Sequence, residues 1–143
     1  MLSFRLKTGS WDELKEFCTP VRLSVFITEQ NVPSTLELDD RDNSCQHLVI
    51  FDVNDNPIAT ARLANNGKFG RMAVLKAYRR QGLGAELLKH LTKLAVDLKL
   101  KQLFCHAQAD ARPFYEKNGF QIIGKPFEEA NISHIKMIKA LAA

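Results

Sequence analysis

The chain has 143 residues, 45% of them hydrophobic and 25% charged, and a formal net charge of +4. Those are the values of one ordinary globular domain with room for a core, and no apolar run is long enough for a membrane-crossing helix. The basic residues are spread along the chain, which fits a solvated surface better than a nucleic-acid footprint. Cys18, Cys45 and Cys105 are odd in number and lack a C-x-x-C pair, so a disulfide framework or zinc ribbon is not expected. Met1 runs into Leu2-Ser3-Phe4-Arg5 without a signal-peptide apolar region, and a reducing cytoplasm is the expected setting.

Ser3 to Lys7 alternates apolar and polar residues and predicts a first strand. Ser10-Trp11-Asp12-Glu13 has the spacing of a capping box and predicts a short helix. Pro20 after Thr19 predicts a second helix, with Thr19 as its cap, that carries Val21, Leu23, Val25, Phe26 and Ile27 and ends near Asn31-Val32-Pro33. The polar, acidic stretch from Ser34 to Ser44 reads as a loop. Gln46 to Val53 and Ile58 to Ala64 read as strands around an Asn54-Asp55-Asn56-Pro57 turn, and Asn65-Asn66-Gly67 is a hairpin signal leading into Phe69 to Leu75. Leu87, Leu88, Leu91, Leu94, Ala95 and Leu98 recur at helical spacing and give one apolar stripe. Strands follow over Gln102 to Ala107, Phe120 to Ile123 and Ile132 to Ile138, with a short helix from Arg112 to Asn118 stopped by Gly119. The order predicts a mixed α/β fold around one sheet, antiparallel at first, with a helix joining two neighbouring parallel strands.

Between the strand Phe69 to Leu75 and the long helix lies Arg79-Arg80-Gln81-Gly82-Leu83-Gly84. Strand, glycine turn, helix is the order that builds a phosphate site, because glycines let backbone approach a ligand and the helix start offers unpaired N–H groups. The spacing Arg79-x-x-Gly82-x-Gly84 resembles the acyl-CoA pyrophosphate loop of the GNAT superfamily of N-acyltransferases. Ala111-Arg112-Pro113-Phe114-Tyr115-Glu116-Lys117-Asn118-Gly119-Phe120 resembles a second segment of that superfamily. Phe26-Ile27-Thr28-Glu29-Gln30-Asn31-Val32-Pro33, then Glu37, Asp39 and Asp42, and the late His134-x-x-Met137, resemble its ElaA-type subgroup.

The resemblance covers nearly the whole chain and implies a single GNAT-like N-acetyltransferase domain over residues 1–143. Its mostly antiparallel sheet would be splayed between the strands ending near Leu75 and Gln108 and flanked by helices. It also implies how acetyl-CoA is held. Met72, Ala73 and Val74 would lie along pantetheine, with the Val74 N–H bonding the thioester carbonyl and the oxyanion formed from it. The N–H groups of Gln81, Gly82, Leu83, Gly84 and Ala85 would hold the pyrophosphate, with Arg79 and Arg80 adding charge at the rim. Tyr115 would protonate the departing thiolate: a phenol of pKa about 10 keeps its proton at neutral pH. Phe114, its neighbour on the helix, is expected to be the core member of the two.

The attacking amine must lose a proton, and Glu29, Glu37, Asp39, Asp42, Glu128 and His134 are candidate acceptors. Glu29 matches the subgroup best, and partial burial at a helix end would raise its pKa. Glu37, Asp39 and Asp42 would form an acidic loop able to attract a cationic amine. His47, His90, His106, Cys45 and Cys105 lack close ligand spacing, so no metal is expected. The expected activity is transfer of acetyl from acetyl-CoA to a primary amine by direct attack in a ternary complex. A non-catalytic acyl-CoA-binding or sensing module and a small basic nucleic-acid-binding domain are the alternatives. The acceptor stays open among polyamine, amino sugar, aminoglycoside, amino acid and protein amine. No membrane or nucleic-acid partner is expected, and a homodimer is compatible with the reading.

Overall fold

The computed structural model describes residues 4–37 and 39–141. The first strand, β1 (Arg5–Gly9), pairs antiparallel with β2 (Gln46–Phe51); the expected start at Ser3 lies outside the described residues. Ser10 caps α1 (Trp11–Arg22), its hydroxyl accepting from the Glu13 N–H while the Glu13 carboxylate accepts from the Ser10 N–H. The expected break at Thr19-Pro20 is absent. The Thr19 hydroxyl bonds back to the Lys15 carbonyl at 2.6 Å instead of capping a new helix, and the chain continues through Pro20. It then widens into a π-helical segment, Leu23–Glu29, closed by Gln30 N–H to the Val25 carbonyl. Stretches of this wider winding concentrate at functional sites.

The supposed loop at 34–44 is partly helical, with α2 (Ser34–Glu37) and a 3₁₀ turn at Asp42–Ser44, and it buries Glu37 and Asp42. The antiparallel order β1–β2–β3–β4 is completed by β3 (Pro57–Leu63) and β4 (Phe69–Val74). A turn ends α3 (Leu83–Asp97), whose Leu83, Leu87, Leu88, Leu91 and Ala95 are buried against the sheet. Each such leucine contributes about 1.5–3 kcal/mol of transfer free energy. Leu98, expected on the same stripe, lies one residue past the helix and is half exposed.

The second sheet has the order β5–β7–β6, from β5 (Gln102–Gln108), β6 (Gln121–Glu129) and β7 (Ile132–Ala140), with α4 (Arg112–Lys117) between β5 and β6. β6 runs well beyond Ile123, past an irregularity at Gly124 (φ +82°) and with Pro126 in it; an edge strand tolerates both. The two sheets meet where Lys68 bridges Phe104 in parallel and the Phe104 N–H donates to the Gly67 carbonyl at 3.0 Å. This is the expected mixed fold with its sheet splayed: β4 and β5 share that single bridge and no ladder beyond it.

Candidate active site

Two cavities open where β4 and β5 part, of about 590 and 630 Å³, and Gln30, Met72, Ala111 and Phe114 border both. β4 reaches this opening through a bulge. Its register against β3 slips between Thr60 and Arg62, and Arg71 takes a left-handed φ of +47°. Past the bulge, the Leu75 N–H bonds the Ile58 carbonyl, so strand alternation turns the backbone of Val74 away from β3. The Val74 carbonyl there accepts from Arg79 Nε at 3.0 Å.

Beyond β4 the chain turns through Arg80 (φ +63°) into Gly82, which caps α3 with a φ of +83°. No side chain caps this helix, and its first internal bond is Glu86 N–H to the Gly82 carbonyl. The N–H groups of Leu83, Gly84 and Ala85 therefore form a positive helix end without a capping group. The two glycines serve different needs. A Cβ at Gly82 would meet nothing within 4 Å but would be strained by φ, whereas one at Gly84 would sit 3.1 Å from Phe114 Cζ. Gly84 is what lets α3 approach α4.

Met72, Ala73 and Val74 line the smaller cavity from β4, and Arg79, Arg80, Gly82, Leu83, Gly84 and Ala85 line it from the turn. Gln81 is exposed and outside it, and Tyr115 belongs to the larger cavity. The Arg79 side chain is not spread along the rim. Its guanidinium grips both Glu29 carboxylate oxygens at 2.5 and 2.6 Å while Nε holds Val74, tying the π-helical segment to the end of β4.

That clamp reverses the expectation for Glu29. Its carboxylate is about one-third exposed, and the Arg79 hydrogen bonds hold its pKa below the ordinary range, outweighing the small cost of burial. A carboxylate so held is a weak proton acceptor.

Tyr115 and Phe114 exchange the roles expected of them. Tyr115 is the buried one, packed against Phe69 and Phe120, and Phe114 is half-buried at the border of the two cavities. The helix turns its second aromatic inward because Phe114 is needed over Gly84. The Tyr115 hydroxyl lies beside the Cys105 thiol, and both face the larger cavity. Burial, then the Cys105 sulfur, pushes the phenol pKa up, and burial pushes the Cys105 thiol to about 12. Both keep their protons at neutral pH, so Cys105 is no thiolate nucleophile.

The acidic loop is not a free negative surface. Glu37 pairs with Arg22 Nε, Asp42 with Arg22 at 2.8 Å and Arg62 at 3.0 Å, and Asp39 with Arg62 at 2.5 Å and Arg71 at 3.1 Å. Burial works against the charge of Asp39 and Asp42, but these guanidiniums win and hold both pKa values low. Arg22, Arg62 and Arg71 are not among the expected site residues. The signal was an arginine on the apolar face of α1, where Arg22 follows Leu14, Cys18 and Val21, and another inside the apolar run of β3, where Arg62 precedes Leu63.

On the opposite wall, the Glu129 carboxylate lies 3.1 Å from His106 Nδ1 and 3.8 Å from His134 Nε2. His134 is buried, and its Nδ1 lies 2.7 Å from the Ile132 carbonyl, a pairing that assigns the proton to Nδ1 and the lone pair to Nε2. Glu128, the remaining acidic candidate, does not line this cavity. Among the described residues no group of three or more His, Cys, Asp or Glu is arranged to hold a metal ion. Nor is any helix among them long and apolar enough to cross a membrane.

The family model for the acetyltransferase (GNAT) domain matches residues 14–141. The uncharacterized N-acetyltransferase YjcF of Bacillus subtilis (strain 168) is 37% identical over 123 residues, covering 83% of this chain and 87% of that protein. A crystal structure of an acyl-CoA N-acyltransferase from Pseudomonas aeruginosa superposes with a TM-score of 0.87 at 27% identity, covering 96% of this chain and 100% of that one. That of Escherichia coli ElaA superposes with a TM-score of 0.83 at 28% identity, covering 94% and 99%. Sequence and architecture agree, and the chain belongs to the GNAT superfamily of N-acyltransferases, in its ElaA-type group.

Proposed function

We propose that the protein transfers acetyl from acetyl-CoA to a primary amine by direct attack in a ternary complex, as one domain over residues 1–143. The observation that carries this reading is the adjacency of the two cavities, which share Gln30, Met72, Ala111 and Phe114 on their borders. One offers an uncapped helix start to a pyrophosphate and is lined by Val74, whose backbone faces outward; the other offers buried proton-handling groups.

In this reading the N–H groups at the start of α3 take the pyrophosphate and pantetheine runs along residues 72–74. The Val74 N–H polarises the thioester carbonyl and holds the oxyanion as the amine nitrogen attacks. The C–N bond forms, the C–S bond breaks, and the sulfur leaves with the electron pair toward Tyr115, whose raised pKa keeps a proton ready for donation. The amine proton goes to His134 rather than Glu29. Nε2 carries the lone pair, because Nδ1 is engaged by the Ile132 carbonyl, and the Glu129 carboxylate stands 3.8 Å from it. Glu29 acts with Arg79 as a clamp on the end of β4.

The test is a melting curve and a thiol-release assay together. Acetyl-CoA at about 100 times its Kd should stabilise the fold by about 2.7 kcal/mol, a shift of several degrees in a domain this size. An amine library should release free thiol. A melting shift with no thiol release from any amine supports a non-catalytic acyl-CoA-binding module instead; no shift at millimolar acetyl-CoA removes both.

A further inference from the structure

The charges lining the larger cavity do not cancel, and the remainder is positive. The acidic loop is matched by Arg22, Arg62 and Arg71, so Glu37, Asp39 and Asp42 have no charge to spare for a substrate. Glu129 faces His106 and His134, and its negative charge offsets one of the two remaining cations only from beyond contact distance. Lys68 and Arg41 also line the cavity, and among the described residues neither lies within ion-pair distance of a carboxylate. Arg41 is exposed at the mouth. Lys68 is half-buried, at the point where the two sheets join. Burial, with the repulsion of Arg41, Arg62 and Arg71, outweighs the attraction of Glu129 and lowers the Lys68 pKa from the ordinary lysine value, and the ammonium lies close enough to Cys105 to act on that thiol. A half-buried cation beside the Tyr115–Cys105 pair, with no counter-ion in contact, is a place for an anion.

The same charge bears on the nucleophile. A positive wall disfavours an ammonium and favours the neutral amine that must attack, so a purely cationic acceptor such as a polyamine fits badly. An acceptor that brings its own negative charge offsets the wall and is drawn in by it.

We propose that the acceptor is a primary amine that also carries an anionic group, a carboxylate or a phosphate, and that Lys68 receives this group. The inference rests on the acyltransfer reading above and narrows its substrate class.

The experiment measures thiol release from acetyl-CoA with matched acceptors. In one arm amino acids are compared with their methyl esters and decarboxylated amines; in the other, phosphoethanolamine and glucosamine 6-phosphate are compared with ethanolamine and glucosamine. A linear diamine is the cationic control. The anionic member of at least one arm should have the higher kcat/KM, by about 10- to 100-fold, the range of a charge-assisted hydrogen bond. The arm that shows it identifies the anion. Lys68→Met should collapse that ratio toward one, Lys68→Arg should keep most of it, and Lys68→Glu should reverse it. Each variant's melting shift with acetyl-CoA reports that it is folded and loaded.

Turnover that is equal within matched pairs, or highest with the diamine, overturns the inference and leaves acyltransfer standing. A wild-type preference that survives intact in both Lys68→Met and Lys68→Glu overturns the assignment to Lys68. No thiol release with any acceptor, from protein that binds acetyl-CoA, overturns the acyltransfer reading and this inference with it.

Discussion

Tyr115 and Glu29 show how a residue's type suggests a role that its surroundings then decide. Tyr115→Phe removes one hydroxyl and keeps the ring against Phe69 and Phe120, so it separates proton donation from packing. The variant should hold its acetyl-CoA melting shift and lose kcat by about 10²- to 10⁴-fold, the span of general-acid contributions. The loss should be least at high pH, where a thiolate leaves without a proton. Rates within about threefold of wild type, well below that range, would make Tyr115 a packing residue only. Glu29→Gln and His134→Gln form the complementary pair. A glutamine at 29 keeps one hydrogen bond to Arg79, so kcat should fall less than about tenfold, below what loss of a general base costs, with the pH–rate profile in place. His134→Gln should lower kcat by about 10²-fold or more. A large fall with Glu29→Gln and a small one with His134→Gln would return the base to Glu29.

At the scale of elements, the parts of the chain governed by local chemistry were legible. The capping box at Ser10, the glycine hairpin at Gly67, the strand–turn–helix at residues 69–97 and the stop at Gly119 each follow from a few adjacent residues, and each is present. What was not legible depends on partners distant in sequence. Nothing local says that α1 runs through Pro20 into a π-helical segment, or that the 34–44 stretch folds inward; the second is decided by Arg22, Arg62 and Arg71, which pair the carboxylates of that stretch from α1, β3 and β4. The site divided the same way: its glycine loop could be read from the sequence, whereas its net charge required the pairing. The turn also carries a prediction. Gly82→Val forces a branched residue into φ +83°, in space that no protein atom fills, and should abolish the melting shift with acetyl-CoA at a stability cost of about 1–2 kcal/mol. Gly84→Val instead drives a side chain into Phe114 and should lower the melting temperature even without ligand. A Gly82→Val protein with the wild-type shift would refute the phosphate-loop assignment.

For the whole molecule, the buried charge cluster joins α1, the 34–44 segment, β3 and β4 into one unit, and it makes stability depend on acid. Asp39 and Asp42 have pKa values held below their unfolded value of about 3.9. Their contribution is therefore complete above about pH 5 and is withdrawn as pH falls through about 4 and below, because the unfolded chain then binds protons that the folded one refuses. Arg62 serves both carboxylates, and Arg62→Met keeps the length of the side chain while removing the shared cation. Near pH 7 this leaves nearly buried carboxylates short of a partner and should cost about 3–5 kcal/mol, on the order of 10 °C in melting temperature. The same change lets the folded-state pKa values rise toward the unfolded one, so the variant has less stability to lose in acid. Denaturant titrations from pH 7 to pH 3 should show the gap between wild type and variant narrowing as pH falls below about 4. A gap constant with pH would mean that Arg62 acts through packing alone. No gap at pH 7 would mean that the cluster contributes nothing net, with its attractions offset by the cost of burying its charges.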